Sequence, residues 1–289
     1  MTLPPSELIL NPDGSIYHLN LLPEDIANHI ITVGDPDRVA EVSSFFDTIE
    51  LKKGKREFHT HTGLLNGKRL TVISTGIGTD NIDIVLNELD ALVNIDFESR
   101  RVHARKKSLD IIRIGTSGAI QADIPVDTFL MTEYAIGLDG LLHFYDSSWV
   151  QKPKMAKAFV KHCGWSEQKA APYVVAYDDT LAKLLLSNRI RLGVTVTSTG
   201  FYGPQGRRLR LDIEGDSFIE KLGSFQYDGR QITNLEMETS GIYGLSKLLG
   251  HRAVSMNCIL ANRATGEFSK HPKKATQALI RHCLEKICG

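Results

Sequence analysis

Two spacings of hydrophobic residues alternate along the chain. Short apolar runs such as "HIITV" (29–33) and "LDIIRIGTSGAI" (109–120) suit buried strands. Between them lie stretches whose apolar residues recur every third or fourth position, as Ile82, Val85, Leu89 and Leu92 do in "TDNIDIVLNELDALV". "REFHTHTGLLNGKRLTVIST" (56–75) alternates on either side of Asn66-Gly67 and predicts a hairpin. A helix is expected from Asp37 to Phe46, and the buried strand "DIIRIG" is expected to break at Gly115. Further strands are predicted at "DTFLMTEY" and "LGVTVTST", and further helices at "TLAKLLLSNR", "METSGIYGLSKLLG" and "KKATQALIRHCLEKI". In the second of these helices Ile242, Leu245, Leu248 and Leu249 form one stripe and Gly250 is a natural stop.

This alternation predicts an α/β architecture on a mostly parallel or mixed sheet. There is no internal repeat, low-complexity tract or long linker, so one domain over 1–289 is expected. The stretch 94–108 is polar and charged and reads as a surface excursion or helix extension. Its run of bases from Arg100 to Lys107 reads as a solvated face rather than a binding patch.

Composition narrows the partners. Thirty-four basic residues balance thirty-four acidic ones, so no global field draws in nucleic acid or an anionic membrane. Any anion site must be local. Cys163, Cys258, Cys283 and Cys288 lack metal-type spacing and read as free thiols in a reducing compartment. With neither a leader-like N-terminus nor an apolar run of membrane-spanning length, a cytoplasmic protein is expected.

Several chemistries fall away on local grounds. "TGIGTDN" has Gly76 and Gly78 but Asn81 where a dinucleotide fingerprint has its third glycine. His59 and His61 share one face of a strand without a recognisable third ligand, so no metal site is assigned. No Gly-x-Ser-x-Gly motif marks a nucleophile.

Strand-end turns with polar groups remain. "GDPDR" places Gly34 and Arg38 where a strand enters a helix, which suits a phosphate or a plain helix start capped by Asp35. Arg113 lies inside an apolar strand ahead of Thr116, Ser117 and Gly118, and a buried guanidinium needs a carboxylate or bound anion. "NLEMET" carries Glu236 and Glu238 at a strand-to-helix junction. Such a pair suits a glycosidase couple, a metal or sugar hydroxyls, and Glu238 alone also suits a helix start.

Taken in order, "YHLNL", "VGDPDR", "KREF", "STGIG", "RIGTSGAI", "GFYGPQGR", "NLEMETSGIY" and Asn262-Arg263 resemble the nucleoside phosphorylase-I family from about His18 to Glu267. The resemblance implies a three-layer α/β/α domain with a central mixed, partly barrel-like sheet. It implies a pentosyltransferase that cleaves uridine reversibly with phosphate, giving uracil and ribose 1-phosphate in pyrimidine salvage. A nucleosidase or other phosphorylase of the same fold, and a nucleoside-binding protein without catalysis, are the alternatives.

The resemblance also implies roles for individual residues. Phosphate would be held by Gly34, Arg38, Arg113 and Thr116, with Arg56 supplied by a neighbouring subunit. Ribose would rest on Glu238, Met237 and the neighbour's His18. The base would meet Phe201, Gln205, Arg207, Ser117, Gly118, Arg263 and Glu236, with Arg113, Gln205, Arg207 and Glu238 carrying catalysis. A homodimer is then the minimal active unit and a hexamer is possible. No cofactor is expected beyond phosphate as co-substrate; potassium stays open, because Asn81 replaces a serine that binds it with the residues matching Glu57 and Ile77 in some members. Stretches 94–108 and about 208–231 depart from the family pattern as variable insertions.

Overall fold

The computed structural model describes residues 2–213 and 217–289. The chain runs β1 (His29–Val33), α1 (Pro36–Ser43), β2 (Thr48–Lys55), β3 (Phe58–Leu65), β4 (Lys68–Ser74) and α2 (Thr79–Asn94). After the short strands β5 (Ile95–Asp96) and β6 (Arg101–Val102) come β7 (Asp110–Ala119), β8 (Phe129–Gly137) and α3 (Pro153–Cys163). Next are β9 (Tyr173–Ala176), α4 (Asp179–Leu185), β10 (Ile190–Thr197), α5 (Phe218–Ser224), β11 (Gln226–Tyr227) and β12 (Arg230–Glu236). The chain finishes with α6 (Thr239–Leu249), β13 (Arg252–Asn262), β14 (Glu267–Phe268) and α7 (Pro272–Cys288).

One mixed sheet takes the order β11-β12-β10-β8-β13-β7-β1-β4-β3-β2. β12 also pairs with β7, through Asn234 to Ala119 and Leu235 to Gly118, so β7, β13, β8, β10 and β12 close into a ring. The sheet is therefore a barrel at one end and open at the other. Period-two alternation sends neighbouring residues to opposite faces. Ile30, Ile73 and Ile111 pack with Ile82, Leu89, Ile242 and Leu245 of α2 and α6. Ile31, Val72 and Ile112 pack with Val39, Leu181, Leu279 and Ile280 of α1, α4 and α7. Both faces are thus covered by helices, as a three-layer α/β/α fold requires.

The structure corrects the strand break expected at Gly115 and the ends of two helices. β7 runs straight through Gly115, because parallel β13 pairs with it residue for residue there, opposite Asn257. Glycine does not break a strand when a neighbour supplies its ladder. The hairpin at Asn66-Gly67 forms with both residues at positive φ, but it is preceded by a second hairpin, β2–β3, turning at Arg56 (φ 55°). Two predicted helices are also shorter at their C-termini, ending at Ser43 and Leu185. The 94–108 excursion is a two-stranded ribbon, β5–β6. Of the 208–231 stretch, positions 214–216 lie outside the described residues.

Candidate functional site

Strands β1 and β7 run parallel, and a cavity of about 680 Å³ opens near their C-terminal ends, where α/β sheets commonly bind ligands; the end of β12, antiparallel to β7, meets them there. Gly34, Arg38, Arg113, Thr116, Ser117, Gly118, Phe201, Gln205, Arg207, Glu236, Met237 and Glu238 all line it. Glu57, Ile77 and Asn81 line it too, with Ile77 exposed and Asn81 Nδ2 packed against Gly76.

At its floor lies a buried charged cluster. Arg113 donates from Nη2 to Glu238 Oε2 at 2.7 Å, and Glu236 Oε2 is 3.3 Å from the same nitrogen. Glu236 is held elsewhere as well: Thr197 Oγ1 donates to Oε1, and the backbone N–H groups of Glu238 and Thr239 donate to Oε2. Its carboxylate thus fixes the start of α6 and faces Arg113. The other oxygen of Glu238 accepts from the Gly78 N–H, at 3.0 Å, at the N-terminus of α2. Burial, reinforced by Glu236 and opposed by Arg113, raises the Glu238 carboxyl above its ordinary range.

Gly115 makes this arrangement possible. A Cβ there would lie 2.0 Å from Arg113 Nη1, so the glycine clears the path along which the guanidinium folds back over its own strand.

Arg38 lies in the first turn of α1, whose Pro36 start and Asp35 cap form as expected, with the Asp35 side chain accepting from the Asp37 N–H. It is half-buried, not simply exposed, and among the described residues its guanidinium makes no hydrogen bond or ion pair. Burial, with repulsion from Arg113 added and attraction from Asp35 against it, draws its pKa below the ordinary arginine value. A half-buried cation close to a second guanidinium is suited to an anion. The Thr116 hydroxyl, also half-buried on this wall, likewise has no side-chain hydrogen bond among the described residues.

Across the cavity a 3-10 turn at Gly203–Gln205 presents Gln205, which is buried. Arg207 donates to the Gln205 Oε1 and to the Phe201 carbonyl, and its guanidinium sits 3.8 Å from the Phe201 ring centroid. The guanidinium is thus stacked on the aromatic ring, with the Gln205 amide beside it. Arg263 does not line the cavity; it donates to the Gln205 and Gly206 carbonyls and so braces the turn from behind. Ser117 Oγ accepts from Asn234 Nδ2 at 2.9 Å.

His18 and Arg56 are not brought to this cavity. His18 Nδ1 lies 2.6 Å from Glu88 Oε1 on α2, and Tyr17 beside it is edge-on to His18. Exposed Arg56 is 5.9 Å from the Tyr17 ring centroid. The two residues that the resemblance assigns to a neighbouring subunit thus meet around Tyr17 and do not line their own chain's cavity.

Residues 28–287 match the phosphorylase superfamily. The chain belongs to that superfamily. It is 31% identical to a uridine phosphorylase of Thermococcus kodakarensis over 91% of this chain and 83% of that protein. It is 30% identical to a uridine phosphorylase of Haemophilus influenzae, over 91% of each chain. A crystal structure of Trypanosoma brucei nucleoside phosphorylase, described as showing uridine phosphorylase activity, superposes with a TM-score of 0.87 at 29% identity, covering 97% of this chain and 99% of that one.

Two features of this superfamily member's site were not legible as functional in its sequence. In the sequence Gly115 signals a strand break rather than space for a side chain. Asn257 belongs to no motif, yet a buried amide in the apolar run "SMNCIL" carries the same signal as Arg113 in "DIIRIG".

Proposed function

We propose that the chain is a uridine phosphorylase, joining inorganic phosphate to the ribose of uridine as uracil leaves. The observation that carries this reading is Arg38: a half-buried guanidinium with no ion pair among the described residues, lining the same cavity as Arg113, Thr116 and Gly34. Phosphate bound there adjoins Glu238, which still has lone pairs for the ribose 2′- and 3′-hydroxyls. Met237 lies under the sugar, and the Phe201, Gln205 and Arg207 wall takes the base.

A phosphate oxygen forms the new bond to C1′ while the C1′–N1 bond breaks, and its electron pair passes into the uracil ring. Charge grows on the uracil oxygens, where Gln205 and Arg207 donors bind the transition state more tightly than the ground state. The uracil anion then takes a proton from water. The phosphate charge offsets the cationic sugar, so the reaction needs no covalent enzyme intermediate.

The test is a panel of uridine, deoxyuridine, thymidine and inosine, each with and without phosphate. Uracil release from uridine is expected only with phosphate. Equal release in phosphate-free buffer would replace this reading with a nucleosidase, and no turnover of any pyrimidine nucleoside would end it.

Gly34→Ala checks the phosphate wall. A Cβ at Gly34 would meet only the Gly76 carbonyl, at 3.5 Å, so the fold and Tm are expected to be unchanged. With phosphate lying against this backbone, its KM is expected to rise roughly tenfold or more.

His18 and Arg56 support a homodimer as the smallest complete unit, each subunit lending both residues to its partner's cavity. Arg56→Ala and Arg113→Ala chains, each severely impaired alone, are expected to regain activity on mixing under conditions that exchange subunits. In a random mixture roughly one site in four is intact. No recovery, with exchange verified, would place Arg56 outside the site.

A further inference from the structure

We infer that Asn257 is a positioning residue for phosphate use, acting through Arg113; this rests on the phosphorolytic reading above. β7 and β13 are parallel neighbours with Gly115 opposite Asn257 and Arg113 opposite Ser255. The guanidinium lies back over Gly115 and meets the side chain directly across from that glycine. Arg113 Nη1 donates to Asn257 Oδ1 at 2.9 Å, and Ser255 Oγ is 3.4 Å from the same nitrogen.

Asn257 is fully buried, and its amide orientation follows from its neighbours. Its oxygen faces the guanidinium, where an NH₂ group would oppose two donors, and Nδ2 faces the oxygens of Ser255 and Thr132 at 3.4 and 3.5 Å. Ser255 is fixed in turn by Thr239 Oγ1 at 2.9 Å and by its backbone N–H donating to the Tyr243 hydroxyl.

The division of labour across the guanidinium gives Asn257 its importance. Nη2 is claimed by Glu238 and Glu236. Without Asn257, Nη1 keeps only the longer 3.4 Å contact to Ser255, and the two carboxylates pull the plane from one side. Asn257 supplies the opposing contact that holds the remaining donors toward the wall carrying Thr116 and Arg38.

The experiment compares the whole enzyme with Asn257→Leu, which is close in shape and lacks the acceptor. Phosphate KM is expected to rise about 10–100-fold, the worth of a hydrogen bond to a charged group, while uridine KM stays within about threefold. In an Arg113→Lys background, which removes the forked donor, Asn257→Leu is expected to change phosphate kcat/KM by less than about threefold. Should the leucine chain not fold, Asn257→Ala is measured in the same way. An unchanged phosphate KM with losses confined to Tm or kcat would overturn the inference, as would equal losses in both backgrounds. If the unsubstituted enzyme releases uracil without any dependence on phosphate, the functional reading fails, and this inference with it.

Discussion

Arg113→Ala is expected to lower kcat/KM for phosphate about 10²–10³-fold, the loss typical of removing one preorganised charged group from a reacting centre. It is also expected to destabilise the protein by about 3–5 kcal/mol, because two buried carboxylates lose the cation between them. Both effects have one structural origin. Arg113 is 6% exposed, Glu236 4% and Glu238 5%, so little water can replace the guanidinium. Denaturant titration and steady-state kinetics on one preparation separate the two losses. The stability loss also carries a pH signature. With Arg113 gone, the already raised Glu238 carboxyl rises further, so the native state holds a proton that the unfolded chain releases. Its favourable contribution is complete below the unfolded carboxyl value and is lost as pH climbs through the folded one. The variant's deficit is therefore expected to be smallest in acid and to widen toward neutrality. A pH-independent deficit would mean that Glu238 does not feel Arg113.

The second large effect concerns Glu238 itself. Glu238→Gln is expected to cut kcat/KM for uridine by about 10²-fold, since an ionised acceptor of two sugar hydroxyls becomes a neutral amide. In the unsubstituted enzyme, kcat/KM for uridine should fall on the acid side with an apparent pKa above the ordinary carboxylate range, because burial and Glu236 favour the protonated form. The Gln variant should lack that limb and keep only the one due to phosphate ionisation. Identical acid limbs in the two proteins would remove Glu238 from the ribose contact.

These expectations rest on features that differ in how plainly the sequence displays them. Ile30 and Ile31, or Ile111 and Ile112, announce a sheet buried on both faces, and the α/β layering follows from them. Arg113 stands out because a charge inside an apolar strand demands a partner. Its partners come from β12, the junction to α6, and β13, more than a hundred residues away, so only the fold discloses which they are. Gly115 misleads in sequence because glycine signals both chain breaks and close approaches, and only the register against Asn257 separates the two. Arg263 reads as a base contact until its guanidinium is seen capping the Gln205 and Gly206 carbonyls. Glu236 likewise reads as one of a pair of ligand-binding acids, yet its oxygens are occupied by Thr197 and the first N–H groups around α6. A carboxylate free for a ligand and one held by a helix start look alike in one dimension.

The central claim is that phosphate, and not water, receives the ribose. Phosphorus NMR of the enzyme with uridine and phosphate tests it most directly. A ribose 1-phosphate resonance is expected to grow mole for mole with uracil as inorganic phosphate declines. Uracil accompanied by free ribose, with the phosphate signal constant, would contradict it.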